Sequence, residues 1–135
     1  MLQQQPSEGI AVSVIIPVLN DAPRLRTCLD ALESQTFDLP FEVLVVNNGS
    51  SDDPASVLRA FPAARLLHEQ QRSSYAARNT GVRQARGEVL AFTDSDCIPA
   101  EDWLERVSPR LYDEGIRQLE RFLADLERRY PGSTR

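Results

Sequence analysis

Apolar residues along this chain come as short unbroken runs, alternating with segments where they recur every three or four positions. Val12 to Pro17 (VSVIIP) is a β-branched run ended by proline, the pattern of a strand buried on both faces. Asn20 and Asp21 then offer capping oxygens ahead of Pro23, which suits a first helical turn. Leu25, Cys28, Leu29 and Leu32 follow at helical spacing and predict an amphipathic helix. Phe41 to Val46 (FEVLVV) is the second buried strand and runs into the turn-forming Asn47-Asn48-Gly49-Ser50. Asp53 before Pro54 opens another helix, and Ala64 to Leu67 is a weaker third strand. Ser73 or Ser74 caps a helix reaching about Ala85, with Gly87 placed for a left-handed C-terminal cap. Gly81 inside that helix is expected where the helix must approach a sheet or ligand closely. Glu88 to Thr93 (EVLAFT) is the fourth strand.

Strand and helix alternate four times with short connections. The expected fold class is therefore α/β, a Rossmann-like parallel sheet with helices on both faces. Ligands in such sheets bind beyond the carboxyl ends of the strands. Three polar segments follow strands and should converge there: Asn20-Asp21, Asn47 to Ser50, and Asp94-Ser95-Asp96. The pattern divides the chain into a loose polar tail over residues 1–11, an α/β domain over 12–107 and a C-terminal amphipathic helix and tail over 108–135. In that last helix Tyr112, Ile116, Leu119, Phe122, Leu123, Leu126 and Tyr130 share one face. Glu101 and Asp102 are expected to cap the short helix carrying Trp103, a core residue, and Leu104. His68, at a strand end, is expected to be structural.

Composition narrows the chemistry by what it lacks. All fifteen basic residues are arginine, so a P-loop lysine, a Schiff-base lysine and a receiver-domain lysine are excluded. A single histidine excludes His-rich zinc sites and two-histidine iron sites. The net charge of −5 argues against a nucleic-acid partner, although a local anion site remains compatible with it. No apolar run approaches the roughly 20 residues that span a bilayer, and the start lacks the basic region of a signal peptide. Cys28 and Cys97 match no metal spacing and read as reduced, small apolar residues. A cytoplasmic protein is expected, or one peripheral at the inner face of the membrane.

Asp94-Ser95-Asp96 is the sharpest chemical signal. Two carboxylates just beyond a buried strand can offer oxygen to Mg²⁺ or Mn²⁺, leaving coordination positions for substrate phosphates. The spacing alone is equally that of solvated turn residues. Its context adds VSVIIPVLN (Val12 to Asn20), VVNNGSSDD (Val45 to Asp53), AARNTGVRQARGEVLAFTDSD (Ala76 to Asp96) and CIPAEDWL (Cys97 to Leu104). Together, in this order, these blocks resemble family 2 glycosyltransferases.

The resemblance implies the first half of a GT-A fold, binding a nucleoside diphosphate sugar. It implies that Pro17 and the residues after it, Asn20 among them, line the base and ribose. Asn47 stands where the family usually has an aspartate contacting the base, and the amide keeps hydrogen bonding but loses the charge; Asn48 and Gly49 beside it would also belong to the nucleotide site. Arg78 and Asn79 match the family's Ala-Arg-Asn segment beside the nucleotide. Asp94 would approach the ribose and metal, and Asp96 would be the principal metal ligand. Simpler readings stand beside these: Asn47 and Asn48 as turn formers, Arg78 as a surface arginine.

An inverting transfer also needs a base for the acceptor hydroxyl. In the family this carboxylate lies well downstream of the Asp-x-Asp, and fewer than forty residues follow Asp96 here. Glu101-Asp102 is too close to match it. Two functions stay open: the donor half of a transferase whose acceptor half is supplied elsewhere, by a partner chain for instance, or a truncated, inactive homologue serving as a nucleotide-binding or protein-interaction module. Without the acceptor half the far edge of the sheet should expose apolar surface, which the C-terminal helix either shields or pairs with a second copy.

Overall fold

The computed structural model describes residues 9–132, of which 109–116 are described by their backbone alone. The apolar runs form four parallel strands: β1 (Val12–Val18), β2 (Phe41–Asn47), β3 (Ala64–His68) and β4 (Val89–Phe92). Between and after them run α1 (Ala22–Glu33), α2 (Pro54–Leu58), α3 (Ser74–Gln84), α4 (Trp103–Val107) and α5 (Pro109–Arg129). The sheet order is β3-β2-β1-β4. The chain builds outward from β1 to β3, then returns to place β4 on the other side of β1. This reversal opens a crevice between the carboxyl ends of β1 and β4, the position where open α/β sheets bind ligands.

Alternation along β1 sorts the core into two layers. Val12, Val14, Ile16 and Val18 face Leu25, Cys28, Leu29 and Leu32 of α1, with Val57 and Leu58 of α2 and Leu104 of α4 on the same side. Ile15 faces the other way, with Leu44, Val46 and Ala77 of α3. Helices thus cover both faces, as the pattern predicts. Trp103 packs against the first layer. Each such leucine, fully buried, contributes about 1.5–3 kcal/mol of transfer free energy.

Two glycines set how closely α3 and its exit approach the sheet. A Cβ on Gly81 would lie 2.5 Å from Ile15 Cγ2, so the expected close approach is present. Gly87 is corrected: it is not among the positive-φ glycines, and α3 ends at Ala85 in extended backbone (φ −71, ψ 141). Glycine is required there because a Cβ would meet the Ser13 backbone nitrogen at 2.5 Å. Within the α/β domain the positive φ falls instead on Gly49 (φ 86), which turns the chain after β2, and on Asn20 (φ 54), besides Gly9 and Gly132 at the ends of the described residues.

Capping also differs in part. Asp53 and Ser73 cap α2 and α3 as expected, accepting from the Ser56 and Ala76 backbone N–H. Asp21 and Asp102 hold the N-cap positions of α1 and α4 without a side-chain cap bond. Their substitutes are distant in sequence: the Ala22 N–H donates to Asp52 Oδ2 (2.9 Å), and the Leu104 N–H donates to Gln35 Oε1 (3.0 Å).

The tail boundary shifts inward, since Ile10 and Ala11 are buried. The Ala11 N–H donates to Pro40 O and the Glu88 N–H donates to Ile10 O, extending the sheet toward residue 10. Residues 1–8, the rest of the expected tail, lie outside the described residues. α5 follows α4 after Ser108 and meets it at that junction. Leu119, Phe122 and Leu123 on it are exposed, while the side chains of Tyr112 and Ile116 lie outside the described residues. On the outer strand β4, Leu90 and Phe92 are exposed beyond the cover of α3, the apolar edge anticipated from the sequence.

Candidate functional site: a cleft at the strand carboxyl ends

A cleft of about 430 Å³ opens at the switch point. Pro17, Val18 and Leu19 form one wall, and Asn48 with the loop Arg72-Ser73-Ser74 forms another. Asp21, Asp94, Ser95 and Asp96 complete it. Of the residues selected from the sequence, the structure brings Pro17, Asn48, Asp94 and Asp96 into the lining.

Asp94 to Cys97 make a tight turn, closed by the Cys97 N–H donating to Asp94 O (3.0 Å). Ser95 points inward and is buried, whereas Asp94 and Asp96 are exposed. Carboxylate oxygens of Asp94 and Asp96 and the Cys97 sulfur all lie within 4.8 Å of one another. Cys97 is a free thiol, exposed beside the carboxylates. Cys28 is buried and its S–H donates to Asp94 O (3.7 Å) from beneath the turn. Burial first, then the charges of the turn above, push its thiol pKa up to about 12.

Arg78 Nη2 lies 3.4 Å from Asp94 Oδ1. Both side chains are substantially solvated, so this pair is weak and Asp94 stays available to a stronger partner. Asn79 is exposed on α3 and lies outside the lining.

Three asparagines hold the loops. Asn48, 5% exposed, donates from Nδ2 to the Glu69 and Gln71 carbonyls (3.1 and 2.7 Å) and accepts the Ser73 N–H (3.1 Å). Its amide is fully used in fastening the β3–α3 loop. Asn47 accepts the Ser50 N–H (2.9 Å) in the local turn. Asn20 accepts from the N–H and hydroxyl of Ser51 (2.6 and 3.0 Å), tying the loop after β1 to that after β2.

Arg72 was missed in the sequence. It donates to Gly49 O (3.0 Å) and stands in the cleft wall with its Nε 3.3 Å from where a Gly49 Cβ would lie. The available signal was the polar run Glu69 to Ser74, a fourth segment beyond a strand's carboxyl end. Glu69 in the same loop has its pKa lowered, chiefly by accepting the Gln71 N–H and then the Thr80 hydroxyl.

The donor set fits a hard divalent cation: two solvated carboxylates on one turn, with space in the cleft for further ligands. Among the described residues, no helix is long and apolar enough to cross a membrane.

Comparison with known proteins agrees with this geometry. Residues 13–118 match the family described as Glycosyl transferase family 2. The chain is 50% identical over 111 residues to glycosyltransferase AglE of Haloferax volcanii, covering 78% of this chain and 36% of AglE. It is 36% identical over 102 residues to the putative glycosyltransferase EpsH of Bacillus subtilis, covering 73% and 28%. Among solved structures, the mannosyltransferase PcManGT from Pyrobaculum calidifontis, in complex with GDP-Man and Mn²⁺, superposes with a TM-score of 0.61 at 33% identity, over 76% of this chain and 34% of that one. S. aureus TarS 1–349 in complex with UDP gives 0.63 at 27% identity, over 71% and 30%. The chain belongs to glycosyl transferase family 2, and its fold is the GT-A sheet. It spans about a third of the length of the relatives it matches.

Proposed function

We propose that the cleft binds a nucleoside diphosphate sugar together with Mg²⁺ or Mn²⁺. The observation that carries this reading is the meeting, at one switch point, of the Asp94–Asp96 turn, the apolar wall Pro17 to Leu19 and the Arg72 to Ser74 loop. Asp96 and Asp94 would hold the cation, whose chemistry is to neutralise the diphosphate as a leaving group. Pro17, Val18 and Leu19 offer the base and ribose an apolar surface. Arg72 and the amino end of α3 border the same space, bringing a guanidinium charge and the positive end of a helix dipole, which suits phosphate. The complexes of PcManGT with GDP-Man and Mn²⁺ and of TarS with UDP support the ligand class.

Transfer to an acceptor needs a base that Asp21 is poorly placed to supply, since both its oxygens are engaged, with Ser95 and Arg24. An acceptor half, in the same polypeptide or a partner chain, would provide it. The exposed stripe of Leu119, Phe122 and Leu123 favours pairing of α5 with a second copy. Sedimentation velocity should then show mass rising with concentration, and a strictly monomeric species would remove that pairing.

The test of the ligand is a calorimetric titration with UDP, GDP and dTDP, each with and without Mn²⁺. One nucleotide should bind only with Mn²⁺, and Asp96→Ala should weaken it at least about 100-fold, the upper end of what outer-shell changes cost a metal site. No nucleotide binding by the folded chain would point to the protein-interaction module instead.

A further inference from the structure

Asp21 stands at the N-cap of α1, where an aspartate ordinarily caps its own helix. Its carboxylate makes no such bond. Instead Oδ2 accepts the Ser95 hydroxyl at 2.8 Å, across 74 positions of sequence, and Oδ1 accepts Arg24 Nε at 2.6 Å. Asp52, from the loop after β2, takes over the cap at Ala22. A local helix-capping bond has thus been given up for a long-range one, and a second loop makes good the loss.

The long-range bond falls at the middle residue of the metal turn. Asp21 and Ser95 are 8% and 7% exposed, while Asp94 and Asp96 on either side of Ser95 are open to solvent. With the Ser95 side chain held inward, its neighbours are both left on the cleft side. The Asp94 carbonyl is gripped from the same side by the Cys28 thiol. The bond also spans the crevice itself, joining the loop after β1 to the turn after β4. A buried hydroxyl deprived of its acceptor carries a desolvation penalty that turning outward relieves, and that turn would take the two carboxylates out of their common orientation.

We propose that Asp21, acting through Ser95, is a positioning residue for the cation turn: it fixes the Asp94 and Asp96 carboxylates toward one point before any ligand arrives. This rests on the metal-binding reading of Asp94 and Asp96. Outer-shell groups that orient first-shell ligands typically govern metal affinity by 10- to 100-fold.

The experiment uses the full chain and Mn²⁺ alone, with free Mn²⁺ counted by electron paramagnetic resonance and thermal unfolding followed in parallel. Ser95→Ala and Asp21→Ala should each weaken Mn²⁺ binding by about 10- to 100-fold. Asp21→Asn, whose amide oxygen still accepts from Ser95, should recover most of that loss. Asp52→Ala removes the substitute cap and serves as the stability control, lowering the melting temperature without moving Mn²⁺ affinity. Mn²⁺ binding at wild-type strength in Ser95→Ala and Asp21→Ala, alongside its loss in Asp96→Ala, would overturn the positioning role and leave the metal site standing. Wild-type chain that binds Mn²⁺ no better than Asp96→Ala would overturn both. If Ser95→Ala fails to fold, the contrast between Asp21→Asn and Asp21→Ala decides, and equal affinities there would overturn the proposal.

Discussion

The two buried acids of the described chain, Asp21 and Glu42, each accept a hydrogen bond from a buried serine, yet they sit in different regions of the sheet and serve different ends. Glu42 on β2 accepts Ser13 Oγ at 2.6 Å and the Arg86 N–H at 2.7 Å. Ser13 in turn accepts the Gly87 N–H at 2.7 Å. This knot closes the α3–β4 connection against β1, where Gly87 leaves no room for a side chain. Arg65 lies 3.6 Å from the other carboxylate oxygen. Every bond of Glu42 joins structural elements, and none of its partners borders the cleft. Asp21 borders the cleft, and one of its partners is the centre of the Asp94–Asp96 turn. The same acid–serine pair thus secures the fold in one region and the candidate site in the other, and the location of the partners, not the chemistry of the pair, sets the difference.

The contrast breaks most readily on stability. Glu42→Ala removes the acceptor of the buried Ser13 hydroxyl and of the part-buried Arg86 N–H. Leaving such donors unsatisfied should destabilise the chain by about 3 kcal/mol. In a domain of this size that lowers the melting temperature by roughly 10 °C. Measured well below that temperature, Mn²⁺ and nucleotide affinity should match the wild type. A Glu42→Ala chain that unfolds normally but loses Mn²⁺ would show that the two regions are coupled.

The parts of this arrangement legible in the sequence are those written in short-range pattern. The VSVIIP and FEVLVV runs marked β1 and β2, and the spacing of Leu25, Cys28, Leu29 and Leu32 marked the buried face of α1. Asp-Pro and Ser-Ser marked the starts of α2 and α3. What stayed hidden depends on contacts distant in sequence. Asp21 looks like a helix cap until Ser95 is brought beside it. Gly87 looks like a left-handed cap until Ser13 is placed under it. Gln35 gives no local sign that it will cap α4, and Arg72 gains meaning only once β3 delivers its loop to the same edge as β1 and β4.

The smallest effect tests how firmly the site region is held, with no cost to stability. Cys28 lies beneath the Asp94 turn and Cys97 on its outer side, so the two thiols report on opposite faces of one feature. Only the thiolate attacks iodoacetamide, and with a pKa pushed up to about 12 Cys28 carries roughly one thiolate per ten thousand molecules at pH 8. Mass spectrometry should therefore find one rapid modification, at Cys97, and a second only after denaturation. The Cys97 sulfur lies 3.7 Å from Asp96 Oδ1, so Mn²⁺ with a bound nucleotide should slow that first modification while leaving the melting temperature of the labelled chain unaltered. Modification of Cys28 at a rate near that of Cys97 in the folded chain would mean that the turn lifts away from α1 on the labelling timescale. The Asp21–Ser95 bond would then be too weak to orient anything, and the resemblance between the two buried acids would end at their geometry.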